Sequence, residues 1–355
     1  MNLLDRYIAR TVLLYTLMVT VVLLTLASLF TFIGQQDDIG VGSYDVGNAF
    51  VFTALTLPQL LFDSLPLAAL MGAILGLGTL ARDSELTVMR AAGVSVGRIA
   101  VSAALAGFVL LGAMWVVGEY IAPPADRYAR QLKIFSKYAE YNAAGNRSSW
   151  VKDGSRFINI QQQTAENMFG GVYVFEFGSD RRLLRVGRGD TAFFKGGTTW
   201  SFGNYAETRF DDQHATAERS ASRDIDVNVN RDFLGLAVIE PSALPVRGLF
   251  AYVKHLRANN LESRAYEIAL WSRIARSTAV VLVCVLAVPF AFGPLRSSGA
   301  GARTVAGILV GVLFFLVNRT LESSGQVYGF SPLIAAWGPT ALLALASFIA
   351  IWRTR

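Results

Sequence analysis

Long uncharged runs at both ends of this 355-residue chain fix most of what it can become. In hydrocarbon no backbone N–H or C=O can go without a partner, so such runs fold as helices. A spanning helix needs about 20 predominantly apolar residues. Thr11 to Ile33 meets this without one charge. Asp5, Arg6 and Arg10 precede it, and the uncharged stretch continues to Gln36, too long for the apolar core of a cleavable signal. It reads as a first transmembrane helix. Val46 to Ala81 is too long for one straight span and contains Pro58, Asp63 and Pro66. The expectation is an interfacial or kinked start, then a span over 57–80. Further spans are expected over 99–118, 277–293, 304–320 and 332–352. The fourth is extended by an upstream helix carrying Arg273 and Arg276, and Arg319 and Glu322 mark the end of the fifth.

These spans form two membrane blocks, 1–121 and 277–355, around a water-exposed insert, 122–276. Only 16% of residues are charged, and Lys and Arg concentrate between the two blocks. The net charge of +6 suits topology and anionic lipid as well as it would suit nucleic acid, which is not expected as a partner. Basic residues of the short loops set the orientation. With the N-terminus in the cytoplasm, the inner side collects Arg6, Arg10, Arg82, Arg90, Arg98, Arg296, Arg303, Arg353 and Arg355, and the outer short loops only Arg319. That bias puts both termini in the cytoplasm and the insert outside.

The insert has strand character over about 145–240. Ser149 to Ile160 reads as strand, Asp153-Gly154 turn, strand; Val172 to Phe177 is aromatic and β-branched; Gly178-Ser179-Asp180 turns the chain. Thr191 to Phe194 and Thr198 to Phe202 flank Lys195-Gly196-Gly197, and Asp224 to Asn230 alternates strictly. Short strands with regular turns suggest a sandwich or jelly roll. The flanks are helical: Ala125 to Tyr141 continues outward from the third span, and Leu249, Tyr252, Val253 and Leu256 share one helical face. The fold class is thus a mainly α membrane protein, three spans plus three, with an inserted β domain.

Several chemistries are absent. There is no G-x-x-x-x-G-K-[ST] phosphate loop, no G-x-S-x-G and no H-E-x-x-H. Gly72, Gly76 and Gly78 read as close helix packing, not as a nucleotide turn. Arg188-Gly189-Asp190 reads as a loop tripeptide. Cys284 is the single cysteine, and His214 and His255 stand far apart, so neither a disulfide nor a zinc cluster is expected. No catalytic set and no cofactor are expected; an active transporter of this composition borrows its motor.

Three constellations remain. The loop RDSELTVMRAAGVSVGR, Arg82 to Arg98, holds a short helix over about 84–93. Asp83 or Ser84 can cap it, Glu85 favours its first turn and Gly93 ends it. It reads either as an amphipathic connector or as a coupling helix for a cytoplasmic ATPase, with Glu85 and Arg90 at the rim and Leu86 and Met89 packing. Beyond the third span Arg127, Arg130, Lys133 and Lys137 share a face, either as a solvated or lipid-anchoring face or as a site for the phosphates of an anionic lipid. Asp63, Glu119, Arg273, Arg276, Arg319 and Glu322 lie near span ends, where charges face a cavity or a partner.

LDRYIAR (Leu4–Arg10), GSYD (Gly42–Asp45), PLAALMGAILGLGTLARDSELTVMRAAG (Pro66–Gly93), GEYIAP (Gly118–Pro123), YVKHL (Tyr252–Leu256), YEIALWSRI (Tyr266–Ile274) and FGPLRS (Phe292–Ser297) resemble, in order, the lipopolysaccharide export permeases of the LptF/LptG type, most closely the LptG branch. The resemblance covers both membrane blocks; the β domain matches mainly by position. It implies the permease subunit of an ABC transporter in the bacterial inner membrane, paired with an LptF-like permease, two copies of an LptB-like ATPase, and an LptC-like membrane protein with a periplasmic bridge. Lipopolysaccharide would be extracted and passed to that bridge, with ATP used by the partner. An ABC-type mechanotransmission or scaffold subunit acting on periplasmic partners is the alternative. The resemblance puts Glu85 at the coupling-helix acid, and Arg130 and Lys133 at basic positions after the third span; Arg127 joins them as an expected headgroup contact. Phe30, Phe32, Leu309, Leu313, Phe314 and Phe315 would wall an acyl-chain cavity. One departure stands out. The lysines some relatives carry at the end of the first span are replaced by Thr31–Asp38, without a positive charge. The partner permease would then supply those contacts, divalent cations would bridge Asp37 and Asp38 to phosphate, or the lipid pose differs.

Overall fold

A computed structural model of the chain describes residues 3–138, 149–165, 168–178, 180, 182–196, 199–211, 214–226, 241, 244–292, 300–328 and 330–353. It divides into two compact units. One comprises Met1–Lys137, Pro245–Ala251 and Ser263–Arg355; the other comprises Tyr138–Leu244 and Tyr252–Glu262.

In the membrane unit α1 runs Leu3–Ile33 and α2 Val46–Arg82, and the short α3 spans Glu85–Ala91. α4, Val96–Val116, passes through a wide π turn, Val117–Ile121, into α5, Ala122–Tyr138. α6, Val246–Ala258, belongs to this unit through Ala251 and to the other from Tyr252; α7 covers Arg264–Phe292, α8 Ala300–Tyr328 and α9 Pro332–Arg353. Among the described residues, five helical stretches are long and apolar enough to cross a membrane. The segment read as the fifth span, 304–320, lies in α8, a 29-residue helix that is not one of those five stretches.

α2 runs well beyond the span expected over 57–80. Its 37 residues form one unbroken helix through Pro58 and Pro66. At about 1.5 Å per residue that is roughly 55 Å, well beyond the ~30 Å hydrocarbon core. Each proline removes one helical hydrogen bond, which a helix walled by other helices tolerates. Asp45 caps the start, its side chain accepting from the Asn48 N–H at 2.7 Å. The π turn has a similar cause. Pro123 and Pro124 lack N–H groups and crowd the carbonyls four residues earlier, and the widened turn just before them relieves this.

Small residues set the helix spacing. A Cβ on Gly72 would lie 2.4 Å from the Thr16 Cα, and one on Gly107 2.7 Å from the Val281 Cα, so α1 closes on α2 and α4 on α7 backbone to backbone. The apolar core so formed draws Ile8 and Val12 from α1, Ile74 and Leu77 from α2, Ile99 from α4, Cys284 and Val288 from α7 and Leu343 from α9.

The other unit holds an antiparallel sheet in simple order, β1-β2-β3-β4-β5-β6. The strands are Ser149–Asp153, Arg156–Ala165, Met168–Phe177, Leu183–Gly196, Thr199–Phe210 and Ala215–Asp226. Asp153-Gly154 makes the first turn, with Asp153 opposite Arg156 and Gly154 at φ +59°. Val151, Ile158, Ile160, Val172, Val174, Ala192, Trp200 and Phe202 form its core. Arg188-Gly189-Asp190, expected as a loop, lies inside β4 opposite β3 and β5. Its composition misled: this strand position is a glycine because the Phe202 ring occupies the space a side chain would need. Ser179, Gly197, Thr198 and 227–230 of the alternating stretch lie outside the described residues.

Candidate functional site

The connection between α2 and α4 is a helix held against its own spans. Asp83 closes α2, its N–H bonding back to the Thr79 carbonyl. Ser84 takes the left-handed conformation, φ +63°, and makes no side-chain cap, because an N-cap residue is extended. The expected cap is therefore not made. The end of α3 is as expected: Gly93, at φ +91°, allows the Val94 N–H to reach the Met89 carbonyl and its own N–H to reach Arg90, a Schellman closure.

Glu85 accepts from the Tyr7 hydroxyl of α1 at 3.1 Å. Leu86 is 1% exposed and belongs to the membrane core, with Met89 half-buried against it. Leu86 thus fastens α3 to its own spans, and the apolar surface left open to a partner is Val88, 66% exposed. Val88 is not among the residues expected to make this contact, Glu85, Leu86, Met89 and Arg90. The Arg90 guanidinium stands over the Phe292 ring at 5.5 Å.

The basic face of α5 is largely engaged within the chain. Arg130 pairs with Asp126 at 2.8 Å. Lys133 pairs with Asp38 at 2.6 Å, donates to the Gln35 side chain at 2.8 Å and stands over the Phe52 ring. Lys137 also pairs with Asp38. Arg127 is exposed. The uncharged end of α1 is thereby supplied with cations by α5. Asp38, considered above as a cation-bridging acid, is already matched by two ammonium groups.

The ionisable residues near span ends form two connected groups. Arg276 of α7 bridges Asp63 of α2, at 2.9 Å, and Glu322 of α8, at 3.0 Å. Arg273 donates to the Gly118 carbonyl in the π turn and stacks over Phe62 at 4.5 Å. The next residue, Glu119, accepts from the backbone N–H groups of Val246, at 2.8 Å, and Arg247, at 3.2 Å, which begin α6. A buried carboxylate at a helix N-terminus satisfies orphan donors and meets the positive end of the dipole. Sequence reasoning placed these residues at span ends without pairing them, since their partners lie far away in the chain. Arg319 is exposed.

The six candidate acyl-chain residues divide. Phe30, Leu309, Leu313 and Phe315 are exposed. Phe32 is half-buried, and Phe314 packs against the membrane core. The helices that carry them, α1 and α8, both pack on α2, α1 through Gly72 and α8 through Gly311 against Leu67.

The β unit adds a feature absent from the reading of the sequence, a cleft of about 220 Å³ lined by Arg156, Glu176, Arg185, Tyr205, Glu207 and Arg223. Arg156, Glu176 and Arg185 stand opposite one another on β2, β3 and β4. Arg223 pairs with the buried Glu207 at 2.9 Å. Burial beside Glu207 pushes the Tyr205 phenol up to about 12. Among the described residues no cluster of His, Cys, Asp and Glu could hold a metal ion.

The family model described as lipopolysaccharide export system permease LptF/LptG matches residues 6–353. The chain is 32% identical to the lipopolysaccharide export system permease protein LptG of Escherichia coli (strain K12) over 352 residues, covering 99% of this chain and 98% of the relative. It is 29% identical to the protein of the same name from Haemophilus influenzae (strain ATCC 51907 / DSM 11121 / KW20 / Rd), also over 352 residues, covering 99% and 97%.

Proposed function

The chain belongs to the lipopolysaccharide export permease family LptF/LptG, and from that premise we propose that it is the permease subunit of an ABC transporter that lifts lipopolysaccharide from the inner membrane and hands it to a periplasmic bridge toward the outer membrane. The observation that carries this reading is α3. It is fastened to the spans through Leu86 and offers Val88 and Arg90 outward. A short helix presented in this way converts a partner's motion into movement of the spans. ATP hydrolysis belongs to two copies of an LptB-like subunit, and a second, LptF-like permease completes the membrane part. An LptC-like protein and its bridge receive the lipid. The termini are cytoplasmic and the β unit periplasmic.

Energetics assign the work to the motor. Each buried methylene is worth roughly 0.8 kcal/mol, but acyl chains start in a bilayer as apolar as Phe30 or Leu313, so the gain largely cancels. Those residues face outward from this chain on two helices that both pack on α2, so a cavity bounded by both walls needs a second subunit. The headgroup side falls to Arg127, Arg130 and Lys133. Arg127 is free to meet phosphate directly, and Arg130 and Lys133 must share themselves with Asp126 and Asp38.

Purification from native membranes in mild detergent, followed by mass identification, tests the assignment. Recovery of a related permease, a nucleotide-hydrolysing subunit and lipopolysaccharide is expected. A chain that purifies with no nucleotide-hydrolysing partner would contradict it.

A further inference from the structure

The first helix begins with a motif, Leu4–Arg10, to which the functional reading gives no task. The structure places two of its residues on the α3–α4 segment. Asp5 is 5% exposed and lies in the first turn of α1. Its carboxylate takes both arms of the Arg98 guanidinium, Nε at 3.1 Å and the terminal nitrogen at 2.9 Å, and accepts from the fully buried Ser102 hydroxyl at 2.8 Å. Arg98 lies one turn into α4, directly after the Gly93 closure of α3 and the Ser95 cap of α4. Two residues after Asp5, Tyr7 donates to Glu85 of α3. Ile8 and Leu86 then enter the same core.

The start of α1 is thus fastened to both ends of the α3 segment, and the strengths differ. The Tyr7–Glu85 bond is single and exposed. The Asp5 joint is bidentate, charge-assisted and closed to water on the carboxylate side, with a third donor from Ser102. A partly buried ion pair of this kind adds little to net stability compared with apolar packing, and fixes one arrangement of its helices. Two helices that only needed to adhere here could do so with apolar side chains.

We propose that Asp5, with Arg98 and Ser102, is a positioning joint that makes the N-terminal end of α1 travel with the coupling helix, so that the motor's stroke reaches the first span. This rests on the function proposed above and deepens it. The joint stays closed throughout the cycle, while the weaker Tyr7–Glu85 bond can be exchanged when a partner's cation approaches Glu85.

The test uses the full permease complex with its ATPase in lipid, and reads lipopolysaccharide released per ATP hydrolysed. Asp5→Asn is expected to leave subunit association and ATPase activity near those of the unaltered complex while lowering lipid released per ATP by about tenfold or more. Arg98→Lys, which keeps the charge and loses the paired geometry, falls between. A clamp that serves only folding would instead reduce assembly and leave the ratio unchanged in whatever complex forms, and that result overturns the proposal. A second arm exchanges the charges, Asp5→Arg with Arg98→Asp. The double variant should raise the ratio above that of Asp5→Arg alone, and no recovery in an assembled complex overturns the proposal. Failure of the underlying function is distinguishable, because it appears in the unaltered complex as absent ATPase association or absent lipid release.

Discussion

Polar side chains are handled in opposite ways in the two units. In the membrane unit several buried or half-buried charges tie helices together: Asp5 links α1 to α4, Arg276 links α7 to α2 and α8, and Glu119 links the π turn to α6. In the β unit Arg156, Glu176, Arg185, Glu207 and Arg223 crowd one end of a single sheet, continuing the face of Ile158, Val174 and Phe202. Hydrocarbon explains the first pattern, because a charge kept there must have a specific partner. Cross-strand register explains the run Arg156, Glu176 and Arg185, because residues opposite each other on neighbouring strands form pairs at small cost. The lesson is mechanical. The charges of the membrane unit join one helix to another, and those of the β unit join neighbouring strands of one sheet.

The sharpest way to break this contrast is to separate the helices. Gly72→Leu forces α1 away from α2 at the Thr16 backbone, and should cost about 4 kcal/mol or prevent folding. Calorimetry should then show the membrane-unit transition shifted or lost and the β-unit transition in place; coincident shifts would deny the units their independence. Arg276→Ala leaves Asp63 and Glu322 without their shared cation. With Arg276 25% exposed, the cost should be about 2 kcal/mol, below that of a fully buried pair. Replacing all three residues with apolar ones should recover most of it, read by the same transition.

Two weaker perturbations address the sheet. Glu207→Gln removes the charge that meets Arg223 and should cost about 1–2 kcal/mol of β-unit stability alone, measured by denaturant unfolding of the full chain. The smallest effect is a pH dependence. Burial holds the His255 imidazole below its ordinary value of 6.5. Its contribution is therefore complete above about 6.5 and is lost as pH falls from there through the lowered value, because the unfolded state binds the proton first. Unfolding midpoints of the β unit on either side of that pH should differ in this sense, and His255→Asn should flatten the difference.

Five helical stretches apolar enough to span were legible because an uncharged run in lipid has few folds open to it. Gly72 was legible as a packing residue for the same reason. The continuity of α2 through Pro58 and Pro66 was not, since sequence alone does not show that neighbouring helices wall it in. Arg188-Gly189-Asp190 read as a loop because its place in β4 depends on Phe202 of the next strand. Of the candidate site, the helical character of α3 and its end at Gly93 could be read from local chemistry. The inward turn of Leu86, the pairing of Lys133 with Asp38 and the meeting of Glu119 with Val246 depend on contacts across roughly a hundred residues or more, which no local pattern encodes.

The central claim is that an external motor drives these spans through α3. It is tested most directly by Glu85→Ala in the reconstituted complex, scored for lipopolysaccharide release against ATP consumed. The account predicts a folded, assembled complex whose release falls sharply for each ATP spent. Release at the unaltered rate and stoichiometry would contradict it.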